Sequence, residues 1–376
     1  MKFNRYALSD LATIKYGKNQ KKVLSESGNI PIYGTGGLMG YATTALYDKP
    51  SVLIGRKGTI GKVKYVEHPF WTVDTLFYTI VNTDIVLPKY LYYVMSLIDL
   101  NNYNEGTTIP SLRTETLNRL EFDIPSLVEQ ETILSCLNPI DEKIALNNAI
   151  NNNLEQQVQA IYRSWFVNYE PFDGTKPDDW SDGTIDDLGT EIICGKTPST
   201  KKSEYYGGNT PFITIPDMHG CVYIVSTERY LSDAGVASQP KKTLPPNTVC
   251  VSCIGTAGLV TLVSEESQSN QQINSIIPKE GISVYYIYLL MQTLADTINK
   301  LGQSGSTIVN LNKTQFGKIQ VMIPSELVLQ DFDSLCRPLF DTILSNQKEN
   351  INLSELRDAL LPKLMSSELD VSDIDL

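Results

Sequence analysis

The chain has 376 residues, 41% of them hydrophobic and 20% charged, which excludes disordered and fibrous classes and allows two to three domains. Six cysteines in so long a chain do not make a disulfide framework, the opening MKFNRYALSDL lacks a charged-then-apolar leader, and the longest apolar run, 282 to 290, is too short to span a bilayer, so a cytoplasmic protein with no membrane partner is expected. The net charge of −12 argues against a polyanionic partner, yet residues 1 to 125 hold 14 Lys+Arg against 11 Asp+Glu, while 126 to 170, 171 to 325 and 326 to 376 carry −4, −4 and −7. Basic clusters at Lys15 to Lys22, Arg56 to Lys64, Lys196 to Lys202 and Lys241-Lys242 leave room for local contact with one.

In chain order, a short amphipathic element from Tyr6 to Ile14 leads to Gly17-Lys18. Short β-type runs follow at Ile30 to Tyr33, Val52 to Ile54, Lys62 to Val66 and Leu76 to Val81, punctuated by glycine turns. A helix fits Lys89 to Ile98 with Pro88 in its first turn, and the loop from Asn104 to Ser111 precedes a last strand, Leu120 to Ile124. Residues 1 to 125 thus read as one domain of mixed α and β. The glycine run from Gly34 to Gly40 opens no helix and belongs to no strand-helix-strand unit, so it is not a nucleotide loop.

From Ile133, alternating steps of three and four pick out Ile133, Leu137, Ile140, Ile144, Asn147, Asn151, Leu154, Val158, Ile161 and Trp165, a heptad seam. Asn138 reads as the helix N-cap and Pro139 as its first position, within a helical segment 126 to 170. Glu170 to Trp180 reads as a linker. A second globular segment, 171 to 325, repeats the first: Gly195-Lys196 matches Gly17-Lys18, Gly255-Thr-Ala-Gly matches Gly58-Thr-Ile-Gly, and Gly305-Ser-Thr-Ile matches Gly106-Thr-Thr-Ile. The seam itself recurs in 326 to 376 at a shift of 199 residues, placing Ile343, Asn346, Asn350 and Leu353 on Ile144, Asn147, Asn151 and Leu154.

Neither apolar stripe is stable in water alone, so the two helices are expected to bury their seams against each other as an antiparallel coiled coil. In that arrangement Asn147 faces Asn350 and Asn151 faces Asn346, and the seam spans about 50 Å. Leu134, Ile150, Tyr162 and Phe166 on the first helix, with Leu335, Phe340, Leu356 and Leu361 on the second, widen the apolar surface beyond the stripe and suit a docked partner.

Catalytic chemistry is not evident. His68 and His219 have no Ser or Cys partner in a nucleophile setting, and no Walker sequence or amino-methyltransferase signature occurs. The spacing Cys250-Val-Ser-Cys253 suits zinc, with Cys194 or Cys221 completing a set, but it lies within a β-type run and reads as core, so no metal is expected.

With these residues in view, the chain resembles the DNA-specificity subunit of type I restriction-modification systems. The resemblance is carried by Ile124 to Gln130 through Asp141-Glu-Lys-Ile144 to Leu154, by Ser164-Trp-Phe-Val-Asn-Tyr-Glu-Pro171, and by Ala359-Leu-Leu-Pro-Lys-Leu-Met365. It departs at Ser366-Ser367-Glu368, where a glycine would precede the acidic residue. The resemblance implies an α+β fold: two related target recognition domains joined by two long antiparallel coiled-coil helices, with pseudo-two-fold repetition. It also implies a non-catalytic subunit in which each domain reads half of a bipartite double-stranded DNA target. The helices would set the spacer and dock two methyltransferase subunits, with restriction (endonuclease/translocase) subunits joining the complex. The adenine-specific methyltransferase and endonuclease activities, with S-adenosylmethionine, ATP and Mg, would belong to those partner chains. The alternative is a coiled-coil adaptor carrying two peptide- or carbohydrate-binding domains.

Major-groove reading uses Arg, Lys, Asn, Gln, Ser and Thr. Polar loops at matching places in the repeats offer Lys18, Arg56, Lys57, Thr59, Thr107, Thr108 and Arg113 in the first domain. The second offers Lys196, Lys201, Lys202, Thr256, Gln271, Gln272, Ser306, Thr307 and Lys313.

Overall fold

The computed structural model describes residues 2–303 and 309–369; Ser306 and Thr307 lie outside them. Contacts group the chain into two compact units, Met1–Glu142 with Leu353–Leu376, and Lys143–Asn352.

In the first unit a ribbon of Asn4–Ala7 and Glu121–Ile124 pairs antiparallel, Asn4 opposite Ile124. The Tyr6 to Ile14 stretch is not one element but a strand end, a single helical turn Leu8–Leu11 and the strand Ala12–Tyr16. The turn forms because Asp10 accepts a hydrogen bond from the Ala7 amide (3.0 Å) while Leu8 and Leu11 are fully buried. A four-stranded sheet follows in the order Ala12–Tyr16, Leu76–Val81, Ser51–Gly55, Val63–Val66, with a three-stranded sheet in the order Gly37–Ala42, Ile30–Gly34, Trp71–Thr72. The last pair of the smaller sheet is parallel. The helix Pro88–Ser96 begins at its proline and buries Tyr90, Leu91, Tyr93 and Met95.

The second unit repeats the plan. Ser181–Thr184 pairs antiparallel with Gln320–Ile323, and Asp187 caps the turn Ile185–Leu188 by accepting from the Thr184 amide and hydroxyl, both at 2.8 Å. Its larger sheet runs Gly189–Cys194, Ile273–Pro278, Val249–Ser252, Val260–Val263, Tyr223–Ile224, and its smaller one Tyr230–Leu231, Tyr206–Ile213, Gln268–Ser269, the last pair again parallel. The apolar run near 282 to 290 is the core helix Val284–Thr293, buried from Val284 to Met291. Among the described residues no helix is long and apolar enough to cross a membrane.

Two helices of 40 residues, Leu127–Phe166 and Glu326–Met365, follow the two ribbons. The first starts 11 residues before the expected N-cap at Asn138, so Pro139 lies inside it. Its start is set by Ser126 and Glu129: the Ser126 amide donates to Glu129 Oε2 (2.9 Å) and the Glu129 amide to Ser126 Oγ (3.3 Å). Pro139 forfeits one backbone hydrogen bond. Burial of Ile133, Leu137 and Ile140 on the inward face outweighs that loss. The stretch expected to be a linker is packed: Trp180 is buried, with its ring 5.7 Å from Phe166 and 5.3 Å from Phe172.

Five of the eight residues expected to widen the helices' outer apolar surface instead sit in the domain cores. Leu134 and Leu361 join the first unit's core, and Tyr162, Phe166 and Phe340 the second's. A 40-residue helix has turns at both ends that must cover the adjoining domain, and the heptad count does not separate those turns from free ones. Only Ile150, Leu335 and Leu356 remain exposed.

Each unit fastens its helix to its core helix differently. In the first, Asp141 pairs with Lys89 Nζ (3.2 Å) and Arg357 Nη1 (3.2 Å) and accepts from the Tyr93 hydroxyl. In the second, the residue 199 positions on is Phe340, stacked on Tyr285 at 4.3 Å.

The second helix ends at Met365, and Ser367 adopts φ 61°. This left-handed position is where the resemblance called for glycine, and a side chain there is strained by about 1–2 kcal/mol. Ser367→Gly is expected to stabilise the chain by about 1 kcal/mol, because glycine's larger unfolded-state entropy offsets part of the relief. A urea titration should show the midpoint rise; a lower midpoint would contradict the strain.

Candidate nucleic-acid interface

In the first unit, backbone hydrogen bonds gather the candidate residues at one edge. The Lys18 amide donates to Thr72 O (2.8 Å), and the Arg56 and Lys57 amides both donate to Thr75 O (2.8 and 3.2 Å). The Gly58 amide reaches Pro110 O (2.9 Å) and the Leu112 amide Arg56 O (3.0 Å), joining the turn Arg56 to Thr59 to the loop that carries Thr107 and Thr108. Gly58 has φ 86°, which a side chain would resist, so the turn needs its glycine.

The side chains differ in freedom. Lys18, Lys57, Thr59, Thr107 and Thr108 are exposed. Arg56 is half-buried, with Nη1 on Asp74 O (2.8 Å) and its guanidinium 5.0 Å from the centre of the Tyr16 ring. Arg113 pairs with Glu105 (3.1 Å), which Thr116 also engages, so much of its charge is matched within the protein. Arg56 and Arg113 are thus each engaged by groups of the protein itself.

The second unit makes the corresponding bonds. Gly195 and Lys196 amides donate to Ile273 O (3.1 Å) and Ser269 O (2.8 Å), as Gly17 and Lys18 donate to Leu76 O and Thr72 O. The Gly255 amide reaches Val309 O (3.0 Å) and the Leu311 amide Cys253 O (3.0 Å). Lys196, Thr256 and Gln271 are exposed at this edge; Gln271 Oε1 accepts from Thr197 Oγ1 (2.8 Å), and Gln272 Oε1 from Asn270 Nδ2 (3.0 Å). Lys201 is exposed, while Lys202 Nζ donates to the Tyr205 hydroxyl (3.0 Å), which raises the Lys202 pKa. Lys313 opens the short helix Lys313–Gly317, capped by Asn312.

The two edges therefore share a backbone and differ in chemistry: where the first has Arg56, the second has the buried Cys253. Cys250 lies on the strand Val249–Ser252 and Cys253 just past its end, and the two side chains sit in different core clusters. Burial pushes both thiols up to about 12, which disfavours the thiolate that zinc requires.

Sequence reasoning missed the polar core beneath the second edge. Buried Gln239 donates to Lys196 O (2.7 Å) and Gln268 Oε1 (2.8 Å), and Gln268 donates to Thr243 Oγ1 (3.1 Å). Lys242 Nζ adds a bond to Cys194 O (2.8 Å). Glutamines in a loop-rich stretch carry no periodic signal, so only their spatial convergence reveals that they fix the loop's shape.

The seam asparagines meet within the second unit. Asn147, fully buried, donates from Nδ2 to Asn350 Oδ1 (2.9 Å) and Glu349 Oε2 (2.8 Å); Asn346 Nδ2 donates to Asn151 Oδ1 (2.8 Å). Lys143 pairs with Glu349 (3.2 Å). Ile343 is fully buried, and Ile144, Leu154 and Leu353 are partly covered.

The family model described as "Type I restriction modification DNA specificity domain" matches twice, over residues 2–156 and 177–330. The chain is 33% identical to the type I restriction enzyme HindI specificity subunit of Haemophilus influenzae, with 82% of this chain and 84% of that protein covered. It is 26% identical to the MjaIX specificity subunit of Methanocaldococcus jannaschii, with 88% and 80% covered. Among solved structures, the S subunit of a type I restriction-modification system from M. genitalium superposes with a TM-score of 0.59 at 17% identity, covering 97% of this chain and 96% of that one, a likeness of fold.

Proposed function

We propose, from the premise that this chain belongs to the type I restriction-modification DNA specificity family, that it is the sequence-reading subunit of a methyltransferase and endonuclease complex. Each recognition domain reads one half of a bipartite double-stranded DNA target. The observation that carries this reading is the duplicated edge, in which Gly17-Lys18 with the Gly58 turn and Gly195-Lys196 with the Gly255 turn are held by the same backbone bonds under different side chains. One scaffold with two chemistries suits the reading of two unlike half-sequences.

In this reading the two long helices pair antiparallel as a coiled coil with pseudo-two-fold repetition and set the spacer. The order of the partners Asn147 with Asn350 and Asn151 with Asn346 supports that pairing. Methyltransferase subunits dock on the helices, for which exposed Leu146, Ile150 and Leu356 are available, and restriction subunits complete the assembly. S-adenosylmethionine, ATP and Mg act on those partner chains, in the cytoplasm.

Exchange of residues 177 to 324 for the recognition domain of another specificity subunit tests the reading. Methylome sequencing of cells carrying the hybrid should show one half of the target changed and the other half and the spacer kept. Alteration of both halves, or methylation without a bipartite target, would overturn it.

A further inference from the structure

The glycine hairpin formed by Ile30–Gly34 and Gly37–Ala42 has no role in the reading so far, yet it carries a group of exposed apolar side chains. Leu38 and Met39 are 53% and 55% exposed, with Tyr41 at 44% and Leu24 at 55% beside them. A Cβ on Gly34 would stand 2.4 Å from Met39 Sδ, and one on Gly40 3.0 Å from Leu24 Cδ1, so the glycines make room for this apolar group. The strand Gly37–Ala42 is last in its three-stranded sheet, and the segment 23 to 25 flanks its base, where the Ser25 amide donates to Tyr41 O (2.9 Å) and the Thr43 amide to Val23 O (3.0 Å).

What surrounds the hairpin is cationic. Segments 15 to 22, 34 to 41 and 56 to 64 contain eight Lys+Arg and no Asp or Glu. A cleft of about 450 Å³ beside the hairpin is lined by Tyr33, Thr35, Thr59, Lys62 and Lys64, with Lys64 Nζ 4.0 Å from the centre of the Tyr33 ring. The hairpin is thus continuous with the candidate edge. Among the described residues the second unit has no counterpart at this place: its strands Tyr206–Ile213 and Tyr230–Leu231 are separated by 16 residues.

We infer that this hairpin enters the DNA major groove of the half-target read by the first domain, where Leu38 and Met39 contact thymine methyl groups while Lys62 and Lys64 hold the flanking phosphates. A two-stranded ribbon fits the major groove, and apolar contact with the thymine methyl is a means of reading that base. Apolar side chains beside a cation-rich edge complement a phosphate-walled groove. The inference rests on the proposed DNA-reading function and assigns it a specificity element that the second domain lacks.

The test uses the complex assembled with its methyltransferase subunits and duplexes bearing the methylated target. Deoxyuridine replaces thymine in one half at a time, removing only the methyl group. The wild-type complex should lose about fourfold in affinity per contacted methyl in the first domain's half. The Leu38→Ala/Met39→Ala variant should bind the thymine duplex at least tenfold more weakly and be indifferent to deoxyuridine. Its melting temperature should hold, since both side chains are exposed. Wild-type affinity unmoved by deoxyuridine in that half, or a variant with full affinity, would overturn the inference while leaving the bipartite reading intact. Loss of methyltransferase assembly with deoxyuridine sensitivity kept would also overturn it, by showing that a protein covers the hairpin. Failure of the wild type to methylate any bipartite target would instead remove the proposed function beneath it.

Discussion

Phe332→Ala is expected to destabilise the second unit by about 3–5 kcal/mol, the usual range for deleting a fully buried aromatic ring. Phe332 is 0% exposed and sits 4.8 Å from Phe166, 5.8 Å from Trp165 and 6.5 Å from Tyr162 by ring centroids. Phe166 in turn lies 4.8 Å from Tyr286 on the core helix and 5.7 Å from Trp180. The ring therefore ties the two long helices to their domain in one cluster, and edge-on packing adds to its burial. Little of the cavity can be refilled, because its walls are rigid rings. Chemical denaturation should show a much lower midpoint for a probe in this unit, such as Trp180 fluorescence. A loss below 1 kcal/mol would mean that the cluster collapses to fill the space.

The second large effect is at Asn147. Replacing it by leucine removes the donor to both Glu349 and Asn350 and is expected to cost roughly 2–3 kcal/mol, since partly buried acceptors lose their partner. Asn350→Leu removes the bond to Asn147 and the one its Nδ2 makes to Asn148 Oδ1 (2.9 Å) but leaves Asn147 bonded to Glu349, and should cost less, about 1 kcal/mol. Equal costs would mean that the Glu349 bond adds no more than what Asn350 makes on its own. The Glu349 carboxyl is held below its usual range by the hydrogen bonds from Asn147 and Lys143. Its folded pKa being depressed, its contribution is present above the unfolded value and fades as the pH falls through the folded one. The Asn147→Leu variant should therefore show a weaker loss of stability on acidification than the wild type. Cysteines at 147 and 350, in a background without the native cysteines, should cross-link on mild oxidation, whereas cross-linking of 147 to 346 would contradict the observed register.

Much of this was legible in the sequence, because repetition is a strong signal. The shift of 199 residues and the matched glycines at 58 and 255 exposed the duplication, and the steps of three and four from Ile133 exposed the seam. Local rules were weaker where tertiary packing overrode them. Asn138-Pro139 is a sound helix start by composition, but the Ser126 and Glu129 cap lies upstream, and the buried face carries the helix through the proline. Side-chain pairing was not legible at all: nothing in the sequence marks Glu105 as the partner of Arg113. The hairpin at Gly37 was read only for what it is not, because glycines carry no periodicity and Leu38 and Met39 alone mark no element.

The unlike fastenings at Asp141 and Phe340 bear on how such a gene can change its specificity by recombination. Moving the first domain into the second position would set Lys89 and Tyr93 against an uncharged phenyl ring and leave the ammonium without its carboxylate. The reverse move would press the Tyr285 ring against the Asp141 carboxylate, which also binds Arg357. Both mismatches leave a charge poorly matched in a half-buried site, an outcome more costly than either native arrangement. Shuffling should thus succeed between first domains of different subunits and between second domains, but not across the two. A population exchanging these segments would hold two separate libraries of half-targets, and the number of specificities reachable would be the product of their sizes.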